Sequence, residues 1–349
     1  MKTAEPALET ILLQRLLPRV SRSFYLSLRV LPHSVRPAIG LAYLFCRAAD
    51  TIADTAVLPL DLRYAYLERY RTAFAEDDPA VVQDIQSHLS DHQSHPSERE
   101  LLARLPDCFR LLAAQARDDQ QRIRDLVLTL TQGMQMDLSV FPAENDGKVM
   151  ALATRADLDR YTYFVAGCVG EFWTRTAVAH LPMLESWDIT GMVAKGVRFG
   201  KGLQLTNILR DLAQDLRIGR CYLPQVELAT LGVQPEELLD PVTLERVRPL
   251  INELLDLTLS HYQEGWAYTL AIPRREWRLR LACAWPLLIG VATLALVRRS
   301  PRLLDPTARV KITRMQIYAI LMQSLLTVWS DQALDRYYGH LRKEVKVVG

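Results

Sequence analysis

The sequence predicts an all-α protein, a single domain of ten or more helices. Three observations lead to this. Apolar residues recur at three- and four-residue spacing through 6–20, 34–56, 61–76, 97–115, 118–140, 156–180, 188–216, 243–270, 274–298 and 309–338, with few breakers inside. No stretch alternates apolar and polar residues between turn pairs, as a strand would. The polar breaks at 77–79, 91–97, 142–148 and 301–307 are too short for linkers, so one domain over residues 1–349 is expected.

Composition narrows the class. The chain has 349 residues, 49% hydrophobic, with 42 Lys+Arg against 40 Asp+Glu. It is too apolar for a disordered chain and lacks the basic excess of a nucleic-acid binder, so no nucleic-acid partner is expected. Cys46, Cys108, Cys168, Cys221 and Cys283 form no C-x-x-C pair and read as reduced, mostly buried thiols of a cytosolic protein. Residues 1–20 do not read as a signal peptide. The 17 apolar residues 281–297 lie at the lower edge of the spanning range. Arg278, Arg280, Arg298 and Arg299 flank them and Pro286 and Gly290 interrupt them, so a buried core helix is expected. Trp173, Trp266, Trp277, Trp285 and Trp329 are expected in the core. His88, His92 and His95 lie in a polar run ending at Pro96 and are expected in solvent rather than on a metal.

Two helical segments carry acids on apolar backgrounds. In 40–55, Tyr43, Arg47, Asp50 and Asp54 are spaced 4, 3 and 4 and share one helix face. In 199–224, Gln204, Asn207, Asp211 and Asp215 are spaced 3, 4 and 4 and share another. Carboxylates one turn apart repel, and more strongly in a partly buried place unless cations compensate. Mg²⁺ suits this pattern, because it takes hard oxygens and is usually held by one or two carboxylates together with phosphates and water. Two such pairs are expected to bridge Mg²⁺ to a diphosphate leaving group, with Arg47, Arg210, Arg217 and Arg220 near enough in sequence to add guanidinium contacts. A single Asp-x-x-x-Asp would more often be a solvated charge stripe. Two of them, each with Arg neighbours in an apolar helix, point to a site.

These residues resemble the squalene/phytoene synthase family. Ser21-Arg-Ser-Phe24 with Tyr43-x-x-x-Arg47-x-x-Asp50-Thr-x-x-Asp54 is similar to its first signature. Gln204-x-x-Asn207-x-x-Arg210-Asp211-x-x-x-Asp215, then Gly219-Arg220-x-Tyr222-x-Pro224, is similar to its second, and Tyr161-x-Tyr163-x-Val-Ala-Gly167-x-Val-Gly170 to the segment between. The resemblance implies an isoprenoid synthase helical bundle with a central cavity, joining two prenyl diphosphates head to head through a cyclopropyl diphosphate. It implies metal binding by Asp50, Asp54, Asp211 and Asp215, and substrate binding by Ser21, Phe24, Tyr43, Arg47, Gln204, Asn207, Arg210, Arg220 and Tyr222. It also implies that Tyr161 assists proton transfer or cation stabilisation, as a phenol with a π-face can; read alone, Tyr161 is equally a core tyrosine.

Within the family, Arg280-x-x-Cys283-x-x-Pro286 and the apolar helix after it favour a squalene synthase acting on farnesyl diphosphate. Val310-Lys311-Ile312-Thr313-Arg314 is similar to a basic segment linked to NADPH, making Lys311 and Arg314 the expected cofactor contacts, although Thr313 interrupts the pattern. No G-x-G-x-x-G opens a helix after a strand, so any NADPH site is not of the dinucleotide-fold kind. A phytoene, dehydrosqualene or presqualene diphosphate synthase, needing no reductant, is the alternative enzyme; a family-derived scaffold protein is the alternative outside catalysis. No hydrophobic C-terminal anchor like that of eukaryotic members is expected, which suggests a bacterial-type soluble enzyme. A cytoplasmic location is expected, with or without peripheral contact with the inner membrane, as is a monomer or weak homodimer.

Overall fold

The computed structural model describes residues 5–21, 24–55, 58–76, 78–89, 93, 95–142 and 148–346. It is all-α. The main helices are α1 (Arg36–Ala53), α2 (Leu60–Glu76), α3 (Pro79–Leu89), α4 (Pro96–Ala103), α5 (Leu105–Ala113), α6 (Arg117–Val140) and α7 (Arg155–Thr162). They continue with α8 (Cys168–His180), α9 (Ile189–Arg217), α10 (Leu244–Ala271), α11 (Trp277–Arg299), α12 (Arg314–Thr327) and α13 (Asp331–Lys346). Among the described residues the strands are β1 (Met150–Ala151) and β2 (Arg220–Cys221), a short parallel pair that periodicity did not reveal.

Four expected segments are divided, and 6–20 is the first, passing through a π stretch at Thr10–Leu16 between two short α turns. The 97–115 segment is two helices, because Pro106 opens α5 and disfavours a continuous helical backbone before it. The 156–180 segment keeps its helical course but passes through a π turn at Tyr163–Gly167 between α7 and α8. The expected helix 309–338 begins only at Arg314. There Thr313 and Gln316 form a capping box, each side chain accepting from the other's backbone N–H. It breaks again before Asp331, where α13 starts. Helix α3 occupies a stretch for which no helix was expected.

The chain divides into two compact units. The first comprises Met1–Leu138 with Phe172–Trp187, the second Ser139–Glu171 with Asp188–Gly349. In the first, Phe45, Phe74 and Phe109 meet with centroids 4.8–5.1 Å apart, and Tyr70 donates to the Phe45 carbonyl at 2.8 Å. The buried Asp119 carboxylate takes hydrogen bonds from His180 at 3.0 Å and Arg122 at 2.7 Å. Burial pushes the Asp119 carboxyl up, but these two partners outweigh it and hold it below the usual carboxylate range.

In the second unit α9 is the spine. A Cβ on Gly200 would lie 2.1 Å from the Ala166 carbonyl oxygen, and one on Gly170 would lie 1.9 Å from that of Gly196. Backbone meets backbone at both places, so α9 and the Tyr163–Gly170 stretch approach as closely as polypeptides can. On another side of α9, Thr206 and the buried Tyr262 of α10 share a hydrogen bond of 2.6 Å. The stretch Arg274–Arg299, which contains α11, is long and apolar enough by length and composition to cross a membrane, yet 78% of its apolar window is buried inside the fold.

All five cysteines are free thiols, four of them buried. Burial pushes Cys168 and Cys221 up to about 12, which makes them poor nucleophiles at neutral pH. Trp266 and Trp285 are buried as expected. Trp329 is not: it lies beyond the end of α12, is 55% exposed and meets Trp277 with centroids 5.5 Å apart and planes tilted by 43°. His88 is exposed and bonds Asp84, while His92 lies outside the described residues.

The glycine contacts predict opposite outcomes at two sites. Gly200→Ala should cost about 1–3 kcal/mol, since overpacking exceeds the roughly 1 kcal/mol that Ala gains over Gly within a helix. Gly339→Ala, in α13 with nothing within 4 Å of its Cβ, should instead stabilise by about 0.5–1 kcal/mol. Urea unfolding of both variants measures the contrast; equal effects would show that the close approach at Gly200 is not a constraint.

Candidate functional site

In the first unit the residues gather on α1. Asp50 lies in its last turn and Asp54 is its C-cap, with the Asp54 N–H bonded to the Asp50 carbonyl at 2.9 Å. This is the wrong pole for acids: the helix dipole is negative at its C-terminus, and each carboxylate there loses about 0.3–1 kcal/mol. Cations answer the charge. Arg47, one turn earlier, pairs with Asp50 at 3.6 Å and also bonds Glu98 of α4. Burial disfavours the Arg47 charge, but Asp50 and Glu98 outweigh it and raise its pKa. Arg63 of α2, itself buried, donates to the Ala53 carbonyl at 3.2 Å and caps the same helix end.

Beside this group, Phe24 stacks on Tyr43 with centroids 5.9 Å apart and an interplanar angle of 8°, and meets Trp173 edge-on at 6.5 Å. Ser21 is buried and donates its hydroxyl to the Leu17 carbonyl at 2.7 Å. Arg22 and Ser23 lie outside the described residues.

The second unit repeats the arrangement on α9. Asp211 and Asp215 again fall in the last two turns of their helix. Arg210 forks onto Asp211, its Nε at 2.8 Å from Oδ1 and an Nη on Oδ2. That hydrogen bond raises the Arg210 pKa against the opposing effect of burial. Asn207 is exposed and donates to Gln204 at 3.4 Å, a long contact that keeps the two amides on one face. Gly219, with φ at +81°, ends α9 in the left-handed region and turns the chain into β2. The β2 pairing with β1 then places Arg220 and the buried Tyr222.

Tyr222 reaches Tyr161 at the end of α7. Their rings stack with centroids 4.9 Å apart, and the Tyr161 hydroxyl donates to that of Tyr222 at 3.3 Å. Both are 5% exposed. Phe141 packs edge-on against Tyr222 at 5.2 Å. The second unit thus joins Tyr161 and Tyr222, from motifs 61 residues apart, into one phenol pair.

Lys311 and Arg314 are exposed and form no ion pair among the described residues. They fall on different elements: Lys311 in the segment before α12, Arg314 at its first helical position. Thr313, the residue interrupting the motif, is the N-cap that separates them.

Several partners escaped sequence reading, Arg63 and Phe141 among them. Glu98 approaches Arg47 from 51 residues away, and no spacing rule links them. Trp173, expected only as core, closes the aromatic group around Phe24. Among the described residues no group of three or more His, Cys, Asp or Glu could hold a metal ion unaided.

The family model for squalene/phytoene synthase matches residues 17–316. A bifunctional lycopene cyclase/phytoene synthase of Colletotrichum graminicola is 30% identical over 252 residues, which are 71% of this chain and 40% of that protein. A squalene synthase of Gibberella zeae is 28% identical over 351 residues, covering 97% of this chain and 70% of the relative. The chain therefore spans two fifths of the first relative's length and seven tenths of the second's. A solved complex of TcSQS with the ligand E5700 superposes with a TM-score of 0.76 at 23% identity over 95% of each chain. The fold is the all-α isoprenoid synthase fold.

The phenol pair predicts a separation of stability from chemistry. Tyr161→Phe keeps the stacked ring and should cost only about 0.5–1.5 kcal/mol, the worth of one hydrogen bond. Tyr161→Ala should cost about 3–5 kcal/mol by leaving a cavity. Denaturant unfolding of the two variants checks this; equal costs would place the hydroxyl, not the ring, at the centre of the packing.

Proposed function

The chain belongs to the squalene/phytoene synthase family, and from that premise we propose that it is a farnesyltransferase of the squalene synthase type. It joins two farnesyl diphosphates head to head into presqualene diphosphate, then converts that product to squalene with NADPH. What carries the reading is the position of the acids. Two helices each end in an Asp-x-x-x-Asp pair at the pole that disfavours carboxylates, and each first Asp is met by a guanidinium. A helix tolerates such a cost where a cation is to be bound.

The donor set fits Mg²⁺. Each pair offers hard carboxylate oxygens that are partly exposed, and too few to complete a shell without phosphate oxygens. Each pair, Asp50 with Asp54 and Asp211 with Asp215, would hold Mg²⁺, which when bound would supply positive charge that stabilises a departing diphosphate. Arg47, Arg210 and Arg220 bind and orient diphosphate oxygens, with amide donors from Gln204 and Asn207; the Ser21 hydroxyl donates to the Leu17 carbonyl and would have to leave it to donate to a phosphate oxygen. Phe24, Tyr43 and Tyr222 offer ring surface to the prenyl chain. Tyr161 offers a π-face to the allylic cation and a phenol oxygen for the proton lost as the cyclopropane closes. Lys311 and Arg314, which form no ion pair among the described residues, would hold the phosphates of NADPH, which when bound would supply a hydride.

The enzyme is read as one catalytic domain over residues 1–349, cytoplasmic with peripheral membrane contact, a monomer or weak homodimer without a nucleic-acid partner. A second reading is a synthase that stops without reduction, at phytoene, dehydrosqualene or presqualene diphosphate. Thr313 favours it by setting Lys311 and Arg314 on separate elements.

Incubation with farnesyl diphosphate and Mg²⁺, with and without NADPH, followed by mass analysis of products, separates the two. Squalene formed only with NADPH is the expected result. A diphosphate or dehydrosqualene product in the presence of NADPH, or phytoene from geranylgeranyl diphosphate, would establish the second reading. Asp50→Asn and Asp211→Asn should each lower kcat by orders of magnitude with unfolding midpoints near the parent's. Near-parental turnover in both would remove the metal assignment.

A further inference from the structure

Helix α12 faces the wrong way for a solvated helix. Its inner side buries Ile320, Ser324 and Thr327, two of them polar. Their hydroxyls are satisfied: Trp285 donates to Ser324 at 2.8 Å, and Thr327 donates to the Gln323 carbonyl at 2.8 Å. Its outer side carries Met315, Tyr318, Met322, Leu325, Leu326 and, just beyond the helix, Trp329. These fall at i, i+3, i+7, i+10, i+11 and i+14, a single stripe along the helix. Met315 is 75% exposed and Leu326 73%. An ordinary surface helix would present the reverse pattern, and a contiguous exposed apolar stripe marks an interaction surface.

Charge selects the occupant. Between Asp305 and Asp331 there is no acidic residue, while Arg309, Lys311 and Arg314 precede the stripe, all exposed. At its other end Arg278 lies over the Trp277 ring at 5.3 Å, next to Trp329, and the first carboxylate that follows, Asp331, is paired with both Arg274 and Arg280. An apolar stripe with Tyr and Trp on it and cations at both ends matches an anionic lipid surface. Aromatic rings seat at headgroup level, Leu and Met enter the acyl boundary, and Arg and Lys meet phosphates.

We propose that the outer face of α12 is a docking surface for an anionic bilayer. The inference deepens the peripheral membrane contact in the functional reading above and gives that contact its residues. It rests on the exposed stripe and its charge, with α12 lying flat on the surface rather than crossing the membrane.

The test is co-sedimentation of the full chain with phosphatidylcholine vesicles, with and without phosphatidylglycerol, in the absence of substrate. The chain should bind the anionic vesicles, and binding should weaken at high salt. Met322→Glu/Leu326→Glu should reduce partitioning by about tenfold or more. Met322→Gln/Leu326→Gln gives the same reading if the Glu pair fails to fold. Absence of binding to anionic vesicles, or binding by either folded variant equal to the parent's, overturns the proposal. So does a stable dimer in light scattering that these substitutions split, since the stripe would then be covered by a second copy. Because no substrate is present, failure here leaves the condensation reading standing, and a failed product assay leaves vesicle binding to be judged on its own.

Discussion

Helix α9 meets the Tyr163–Gly170 stretch with no room for a methyl group between the two backbones. Much of the second unit depends on this approach. It sets the height of α9 against the segment that carries Tyr161, and a shift of one residue along the helix would turn Asp211 and Asp215 by about 100° away from their face. The π turn at Tyr163–Gly167 adds a residue to the local winding just where the two elements touch. Tyr262, bonded to Thr206, holds α9 from another side. The spine that carries an acid pair is thus fixed by sterics and by one buried hydroxyl pair, before any charge is considered.

The acid pairs themselves are a local electrostatic liability that the fold keeps. Each occupies the negative end of a long helix with an apolar background, and each is met by an arginine from its own helix. The first unit adds Glu98 on Arg47 and Arg63 on the end of α1, so charge there is balanced across three elements. The second unit relies on neighbouring residues, with Arg210 forked onto the adjacent Asp211. The two units therefore reach the same local charge pattern by different support.

Much of the site was legible in the sequence because helical periodicity is a local rule. The spacings of Tyr43, Arg47, Asp50 and Asp54, and of Gln204, Asn207, Asp211 and Asp215, place each set on one face once the segment is helical, and both segments are. Segment ends were less legible. Pro106 divides one expected helix and the Thr313–Gln316 capping box delays another, because a helix start is decided by a few competing backbone hydrogen bonds rather than by the apolar pattern. Trp329 was expected inside and lies outside, since hydrophobicity alone does not say which side of a helix meets the core.

The amino-acid order by itself determined the all-α class, the two acidic faces and the motif pattern of the family. The first two follow from 3.6-residue periodicity and from side-chain chemistry within a turn or two, and the third from the resemblance of the motifs themselves. Only the tertiary structure decided that Glu98 meets Arg47, that Tyr161 stacks on Tyr222, that Gly200 touches the Ala166 carbonyl, and that α12 turns its apolar side outward. Each of those joins residues far apart in the chain or selects one face of a helix over another. Packing makes that choice, by filling space and satisfying buried polar groups together across many elements, and no local window of sequence contains it.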